Sequence, residues 1–470
     1  MVKQSFKTVL SIFGVVLVSL TACKKEKDDI AATPPPVATP TDSVPGLSMS
    51  VLKDSMLYYS RDIYLWNEQI PASFATSSFA DPEKLMTGIR AYSKESGFPS
   101  AVDRWSFAMK QKDWDNMSEG LNLLMDDHES QGDFGFTVFF LEDGDLRVRL
   151  VEPNSPAGIK GIHRGWKIIK INSSTNITVA NANFIIKNIY ESTAATITFE
   201  KPDGTKEVIT LAADHYTEKP VYLDSVYTVG SKKIGYLVFN SFLGDEDKVK
   251  SEFQRVFNKF SQAGINDIVI DLRYNGGGYV SLQEDLANYL VNNAGDGGIM
   301  MTQMYNDVNK QYNKITRFKK TGTLNLSRIY FIVGSGTASA SELLINNLKP
   351  YMDVRLVGAS HTHGKPVGYF PIPVGNEWYI FPVSFRSVNK NGDGNYFDGI
   401  SVSNEVPDGL DKDWGDVTES NLASVIRNIT TGRYKSQTLG AEKITSPEVI
   451  AGNIALDAPF LKVTVDKKGF

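Results

Sequence analysis

The sequence predicts a multidomain α/β protein with a helical N-terminal domain, a β-rich middle domain and an α/β domain with crossover helices. Three observations carry this expectation. Apolar residues recur at helical spacing in the first folded stretch, short alternating runs bounded by turn residues follow, and from Lys233 onward apolar strand-like runs alternate with amphipathic helical runs. The chain has 470 residues, room for about three domains at roughly 100–200 residues each. Its net charge of −5 offers no broad basic surface, so nucleic acid is not an expected partner. Only five histidines occur, none at HExxH spacing, and neither a catalytic metal nor a cofactor is expected.

The N-terminus opens with Lys3 and Lys7 ahead of an apolar run from Val9 to Leu20, too short to span a bilayer and suited to a signal peptide over residues 1–22. Leu20-Thr21-Ala22-Cys23 resembles the lipobox of bacterial lipoproteins, which implies that Cys23 carries the lipid and becomes the mature N-terminus. Cys23 is the sole cysteine, so neither a disulfide nor a thiolate metal cluster can form within the chain. The resemblance implies a lipid-anchored protein of the bacterial cell envelope, at the outer membrane and facing the periplasm or the cell surface. Residues 23–46 are charged and then rich in Pro, Thr and Ala, with Pro34-Pro35-Pro36, the composition of an extended tether.

Residues 47–127 are expected to form the helical domain. Leu52, Met56, Tyr59, Ile63 and Trp66 recur every three or four positions, and Asp81-Pro82 opens a second helix presenting Leu85, Met86, Ile89 and Tyr92. Over residues 130–215, Leu146, Val148 and Leu150 alternate with polar residues. Further strands are expected at Ala195–Phe199 and Glu207–Leu211 around the turn Pro202-Asp203-Gly204, with a short helix at Phe184–Ile189. The stretches GDFGFTV (132–138), EPNSPAGIKG (152–161) and GWKIIKIN (165–172) resemble a PDZ domain, with Trp166 where that family often has aspartate. The resemblance implies that the loop Phe134-Gly135-Phe136 holds the free C-terminal carboxylate of a peptide that adds as a strand to the sheet edge.

The α/β domain is expected over residues 225–415. Its strands fall at Ile234–Phe239, Ile268–Leu272, Ile329–Val333 and Val354–Val357, and its helices at Asp245–Ala263, Val280–Leu290 and Ala340–Leu348. Two loops after strand ends carry chemistry-bearing residues, where such sheets place their sites. DLRYNGGG, 271–278, ends in three glycines able to turn backbone N–H groups into a cleft, and neither P-loop nor dinucleotide spacing follows it. Ser339-Ala340-Ser341-Glu342 matches a capping box, placing a hydroxyl over the positive end of a helix. Downstream, Lys365 lies in HGKP within apolar surroundings, with no acidic residue between Asp353 and Glu377, so a dry lysine of lowered pKa is expected.

In order and spacing, these three segments resemble the C-terminal processing peptidases, serine peptidases that use a Ser/Lys dyad and act on protein substrates. The resemblance implies Ser339 as nucleophile and Lys365 as general base. It implies an oxyanion hole formed by the N–H groups of Ala340 and of a glycine in Gly276–Gly278, Gly277 being the one assigned. Two departures stand out. Pro366 and Tyr369 replace the glycine and orienting glutamine of the family pattern, so that Tyr369 would have to orient the lysine, and the serine-to-lysine spacing is one position longer. The same loop holds His361 and His363, which leaves open a serine hydrolase with His363 as base. An inactive peptide-binding lipoprotein is the other alternative. Asp271 and Arg273 are expected to pair structurally, and residues 416–470 to form a C-terminal helix and tail without legible chemistry.

Overall fold

The structure is a computed structural model that describes residues 47–118, 132–434, 455–456 and 464–465. The expected signal peptide, the tether and Cys23 lie outside the described residues.

A six-stranded sheet runs in the order Asn404–Glu405, Asp353–Gly358, Arg328–Val333, Asp267–Asp271, Lys232–Phe239, Val221–Val229. All neighbours are parallel except the last pair, whose strands follow one another directly in sequence. Continuous apolar runs such as Ile268-Val269-Ile270 are what a sheet covered on both faces requires. Helix Glu246–Ala263 covers one face. Asp245 caps it by accepting from the amides of Asp247 and Lys248, and Gly264, left-handed at φ 64°, ends it. Its stripe of Val249, Phe253, Val256, Phe257 and Phe260 is buried. Helix Ser420–Thr431 covers the opposite face with Leu422, Val425 and Ile429 packed on Tyr236, Tyr330 and Ile332.

The N-terminal segment holds helices Met49–Ile63, Pro82–Arg90 and Gln111–Ser118, together with strand Phe107–Lys110. That strand pairs antiparallel with Trp378–Phe381, and Met56, Leu85, Ile89 and Trp105 share one core with Phe253, Leu286, Leu344 and Tyr369. Much of its stabilisation therefore comes from the α/β body. A second six-stranded sheet includes Val367–Tyr369, Val383–Val388, Ile299–Tyr305 and Gly278–Tyr279, none of which belongs to the crossover rhythm.

The β-rich segment has its own core, with Val138, Leu146, Ile168, Ile197 and Phe199 buried beneath helix Ala182–Ile189. Its antiparallel sheet runs Phe136–Glu142, Asp145–Val151, Lys167–Ile171, Ala194–Glu200, Lys206–Ala212. Two polar junctions join it to the α/β body. Arg164 pairs with Asp408 and donates to the Tyr274 hydroxyl at 2.7 Å, beside the buried pair of Arg273 and Asp271 at 2.7 Å. At the other junction Glu152 accepts from the Lys219 amide and the Tyr222 hydroxyl, and burial raises its pKa, the neighbouring Glu218 charge adding to the effect.

Candidate active site

Ser339 caps helix Ala340–Leu348 at the C-terminal end of strand Arg328–Val333. Every residue of this helix is buried, which fixes the turn leading into it. Ser339 adopts φ 62° and ψ −116°, the region of the first central residue of a type II′ turn, where glycine is favoured. A side chain held there stores strain of about 1–3 kcal/mol. The turn also changes what the capping box does. The Glu342 half forms, with the Ser339 amide donating to Oε2 at 2.9 Å, but the Ser339 hydroxyl is buried without a hydrogen-bond partner. A buried hydroxyl left without a partner costs free energy, so this group does not stabilise the helix as a cap.

Glu342 does more than cap. Its Oε2 also accepts from the Lys365 amide at 2.8 Å, and its Oε1 accepts from the Gly364 amide at 2.6 Å and the Thr362 hydroxyl at 2.5 Å. One carboxylate thus fastens the serine turn and the lysine loop together. Burial raises the Glu342 pKa, while these four donors oppose the rise. Gly364 sits at φ 94°, where an added Cβ would lie 2.1 Å from the Phe397 carbonyl oxygen, so the loop can close here only on glycine.

Lys365 is 1% exposed and its pKa is lowered to about 7. Burial is the main cause, and the charges of Asp103 and Glu342 only partly counter it. The dry lysine expected from the sequence is present, although two acids reach it from distant parts of the chain. Asp103 is itself buried and saturated, accepting from Tyr64, from the Ser106 hydroxyl and from the amides of Trp105 and Ser106. The Lys365 ammonium nitrogen lies 4.1 Å from the ring centroid of Tyr369, which is stacked edge-on against Phe107 and Phe381. Tyr369 therefore meets the lysine with its ring face, an interaction that favours the charged form and still loses to burial.

The glycine loop lies directly against the serine. Gly277 has φ 104°, and a Cβ there would fall 2.7 Å from Ser339 Cβ and 3.0 Å from the Ala340 nitrogen. Its own N–H donates to Asn275 Oδ1 at 2.9 Å. The Ala340 N–H belongs to the first turn of its helix, where no intrahelical acceptor exists. Asn275 is a hub that sequence reasoning missed. Its side chain donates to the Phe239 carbonyl, and its carbonyl accepts from the Ala338 amide and the Ser341 hydroxyl.

The histidines occupy other positions. His363 Nε2 accepts the indole N–H of Trp105 at 3.2 Å, using the acceptor nitrogen of a neutral imidazole. His361 is exposed, with Nδ1 2.6 Å from the Thr362 carbonyl oxygen. Arg104 donates to the Phe397 carbonyl at 2.8 Å and to the His363 and Gly364 carbonyls at 3.4 Å, clamping the lysine loop from the N-terminal segment. No motif marks Asp103, Arg104 or Trp105, and only the fold brings them here.

In the β-rich segment, Phe134 and Phe136 are buried in the core and the Gly135 amide donates to Asp133 Oδ1 at 2.6 Å. The same oxygen accepts from the Tyr216 hydroxyl at 2.9 Å. A carboxylate of the chain itself thus occupies a loop amide that the PDZ resemblance assigns to a ligand.

Residues 233–402 match the sequence model of Peptidase family S41. The carboxy-terminal processing protease CtpB of Bacillus subtilis (strain 168) is 24% identical over 276 residues, covering 57% of this chain and 54% of that protein. A CtpA-like serine protease of Staphylococcus aureus (strain COL) is 26% identical over 225 residues, covering 45% of this chain and 40% of its own length. The chain thus spans about half the length of these relatives. A crystal structure of an S41 protease from Bacteroides fragilis NCTC 9343 superposes with a TM-score of 0.65 at 23% identity, covering 82% of this chain and 98% of that one, a likeness of fold. The matched residues run from the strand that opens the parallel sheet through Ser339 and Lys365, and over this stretch the chain is similar to peptidase family S41.

Proposed function

We propose that the chain is a serine endopeptidase that cuts extended segments near the C-termini of proteins by an acyl-enzyme route, with Ser339 as nucleophile and Lys365 as general base. One observation carries the reading. A lysine with its pKa lowered to about 7 is fastened, through Glu342, to the same carboxylate that holds the serine turn. At neutral pH such an amine is neutral in a large fraction of molecules and can take a proton, whereas an unperturbed lysine is neutral in only about one molecule in 2,500.

In the reaction, Lys365 Nζ takes the Ser339 hydroxyl proton as Oγ attacks the scissile carbonyl carbon. The oxyanion is met by the Ala340 N–H at the positive end of the helix, with Gly277 contributing a second donor if Asn275 releases it. The C–N bond then breaks, the lysine returns its proton to the leaving amine, and water hydrolyses the acyl-enzyme by the reverse sequence. The engagement of His363 by Trp105 argues against an imidazole base. The β-rich segment serves as a PDZ-like platform that receives substrate as an added strand, in keeping with the processing role in the name of the Bacillus relative. Lipidation of Cys23 would hold the enzyme at the bacterial envelope.

The test is cleavage of unfolded casein by the native chain, by Ser339→Ala and by Lys365→Ala, with thermal unfolding recorded for each. Both variants should fold and be inactive, and His363→Asn should retain turnover. Cleavage by Ser339→Ala would sink the nucleophile assignment, and cleavage by Lys365→Ala together with an inactive His363→Asn would transfer the base to histidine.

A further inference from the structure

Both strand-accepting edges at this site are taken by the chain's own C-terminal segment. Ala455–Leu456 pairs antiparallel with Phe136–Glu142, Leu456 opposite Val138 and Ala455 opposite Phe139. This is the outer edge of the β-rich sheet, the side on which an incoming peptide would add. Nine residues further on, Thr464–Val465 forms the strand between Gly278–Tyr279 and Val367–Tyr369, parallel to both, with Thr464 opposite Gly278 and Val465 opposite Tyr279 and Tyr369. Those neighbours are the continuation of the glycine loop beside Ser339 and the strand that follows Lys365. The segment therefore bridges the two halves of the catalytic centre through its backbone.

The sequence of this segment suits the role. Leu461-Lys462-Val463-Thr464-Val465 alternates in the manner of a strand, and Pro459 separates it from Ala455–Leu456. The chain continues past the first edge to Phe470, so what that edge receives is an internal stretch rather than a terminus. Asp133 agrees with this, because its carboxylate already accepts from the Gly135 amide in the loop where a terminal carboxylate would be held. Two separate features thus describe an edge that accepts continuing chain.

We propose that Ala455–Leu456 and Thr464–Val465 are resident strands that compete with substrate at the platform edge and in the catalytic cleft, and that both edges read extended backbone without requiring a free C-terminus. The proposal rests on the peptidase reading for the identity of the competitor, but its binding part can be tested without turnover. Proline cannot donate to a strand ladder, so Leu456→Pro with Thr464→Pro in the full chain should release the segment while leaving the catalytic residues in place.

A fluorescein-labelled peptide of residues 453–470 would be titrated by fluorescence anisotropy into the Ser339→Ala chain and into the Ser339→Ala chain carrying both prolines. The proline variant should bind at least tenfold more tightly, and a C-terminally amidated peptide should bind as well as the free acid. Equal binding to the two proteins, or no binding to either, would overturn the resident-ligand proposal, and a tenfold preference for the free acid would overturn the internal-segment reading. In an otherwise native chain, the two prolines should lower KM for unfolded casein at least fivefold with kcat unchanged. If no variant cleaves casein yet the anisotropy difference is found, the peptidase reading fails and the resident ligand stands.

Discussion

Replacing Lys365 by methionine should inactivate the protein and stabilise it at neutral pH. The pKa of this lysine falls from 10.5 to about 7 on folding, roughly 3.5 units, and at 1.36 kcal/mol per unit the displacement corresponds to about 5 kcal/mol. The sign follows from proton counting. Between pH 7 and 10.5 the unfolded chain binds a proton at this site that the folded chain does not, so stability rises with pH across that window. The cost is fully present below pH 7 and vanishes near 10.5. Methionine has a similar length and no charge to desolvate, so Lys365→Met should gain about 3–5 kcal/mol at pH 7 and nothing near pH 10.5, apart from small packing differences. Guanidinium unfolding of Ser339→Ala and of Ser339→Ala/Lys365→Met at pH 6, 7, 8.5 and 10 gives the difference curve, in which other titrating groups cancel. A difference that is flat with pH, or a methionine variant less stable at pH 7, would show that the lysine is not buried in the uncharged state that a general base requires.

Three further outcomes are expected. Ser339→Gly should be more stable than Ser339→Ala by about 1 kcal/mol in urea unfolding, because only glycine relaxes at φ 62°, and its larger unfolded-state entropy removes part of the gain. Gly277→Ala should lower kcat/KM at least about 100-fold while the protein remains folded by circular dichroism, since its Cβ would meet Ser339 Cβ at 2.7 Å and push the proposed nucleophile out of place. Glu152, its pKa raised by burial and the Glu218 charge, contributes stability that is complete below its ordinary 4.5 and is lost as pH rises through the raised folded value. Glu152→Gln should therefore flatten the fall in Tm between pH 5 and 8, and an unchanged slope would remove this junction as its source.

Local pattern carried some elements to the residue. The apolar periodicities of Val280–Leu290 and Ala340–Leu348 define both helices, and continuous apolar runs locate the parallel strands within two residues at each end. Ser339 is legible because its box, strand and helix are contiguous. What escapes a linear reading is whatever comes from far away. Strand Phe107–Lys110 exists by pairing with Trp378–Phe381, and Val367–Tyr369 is three residues long and contains a glycine, so neither has a period to detect. The absence of acids around Lys365 in the sequence correctly implies a dry lysine but says nothing of Asp103, which arrives in space alone. Glu342 is visible as a cap, yet its grip on Thr362, Gly364 and Lys365 depends on a loop closing over it.

The clamp from the N-terminal segment sets a schedule. As the chain is made from its N-terminus, residues 64–107 emerge early but without their distant partners: the Leu65 amide awaits the Val383 carbonyl, the Ser106 hydroxyl awaits the Val383 amide, and Phe107 awaits Phe381, on which it stacks at 4.3 Å. Contacts this distant in sequence close late in folding. Until they do, Lys365 stands in water with the proton affinity of any other lysine. The lowered proton affinity on which the proposed base depends is therefore a property of the folded chain alone, and a growing or broken polypeptide carries the same two residues without it.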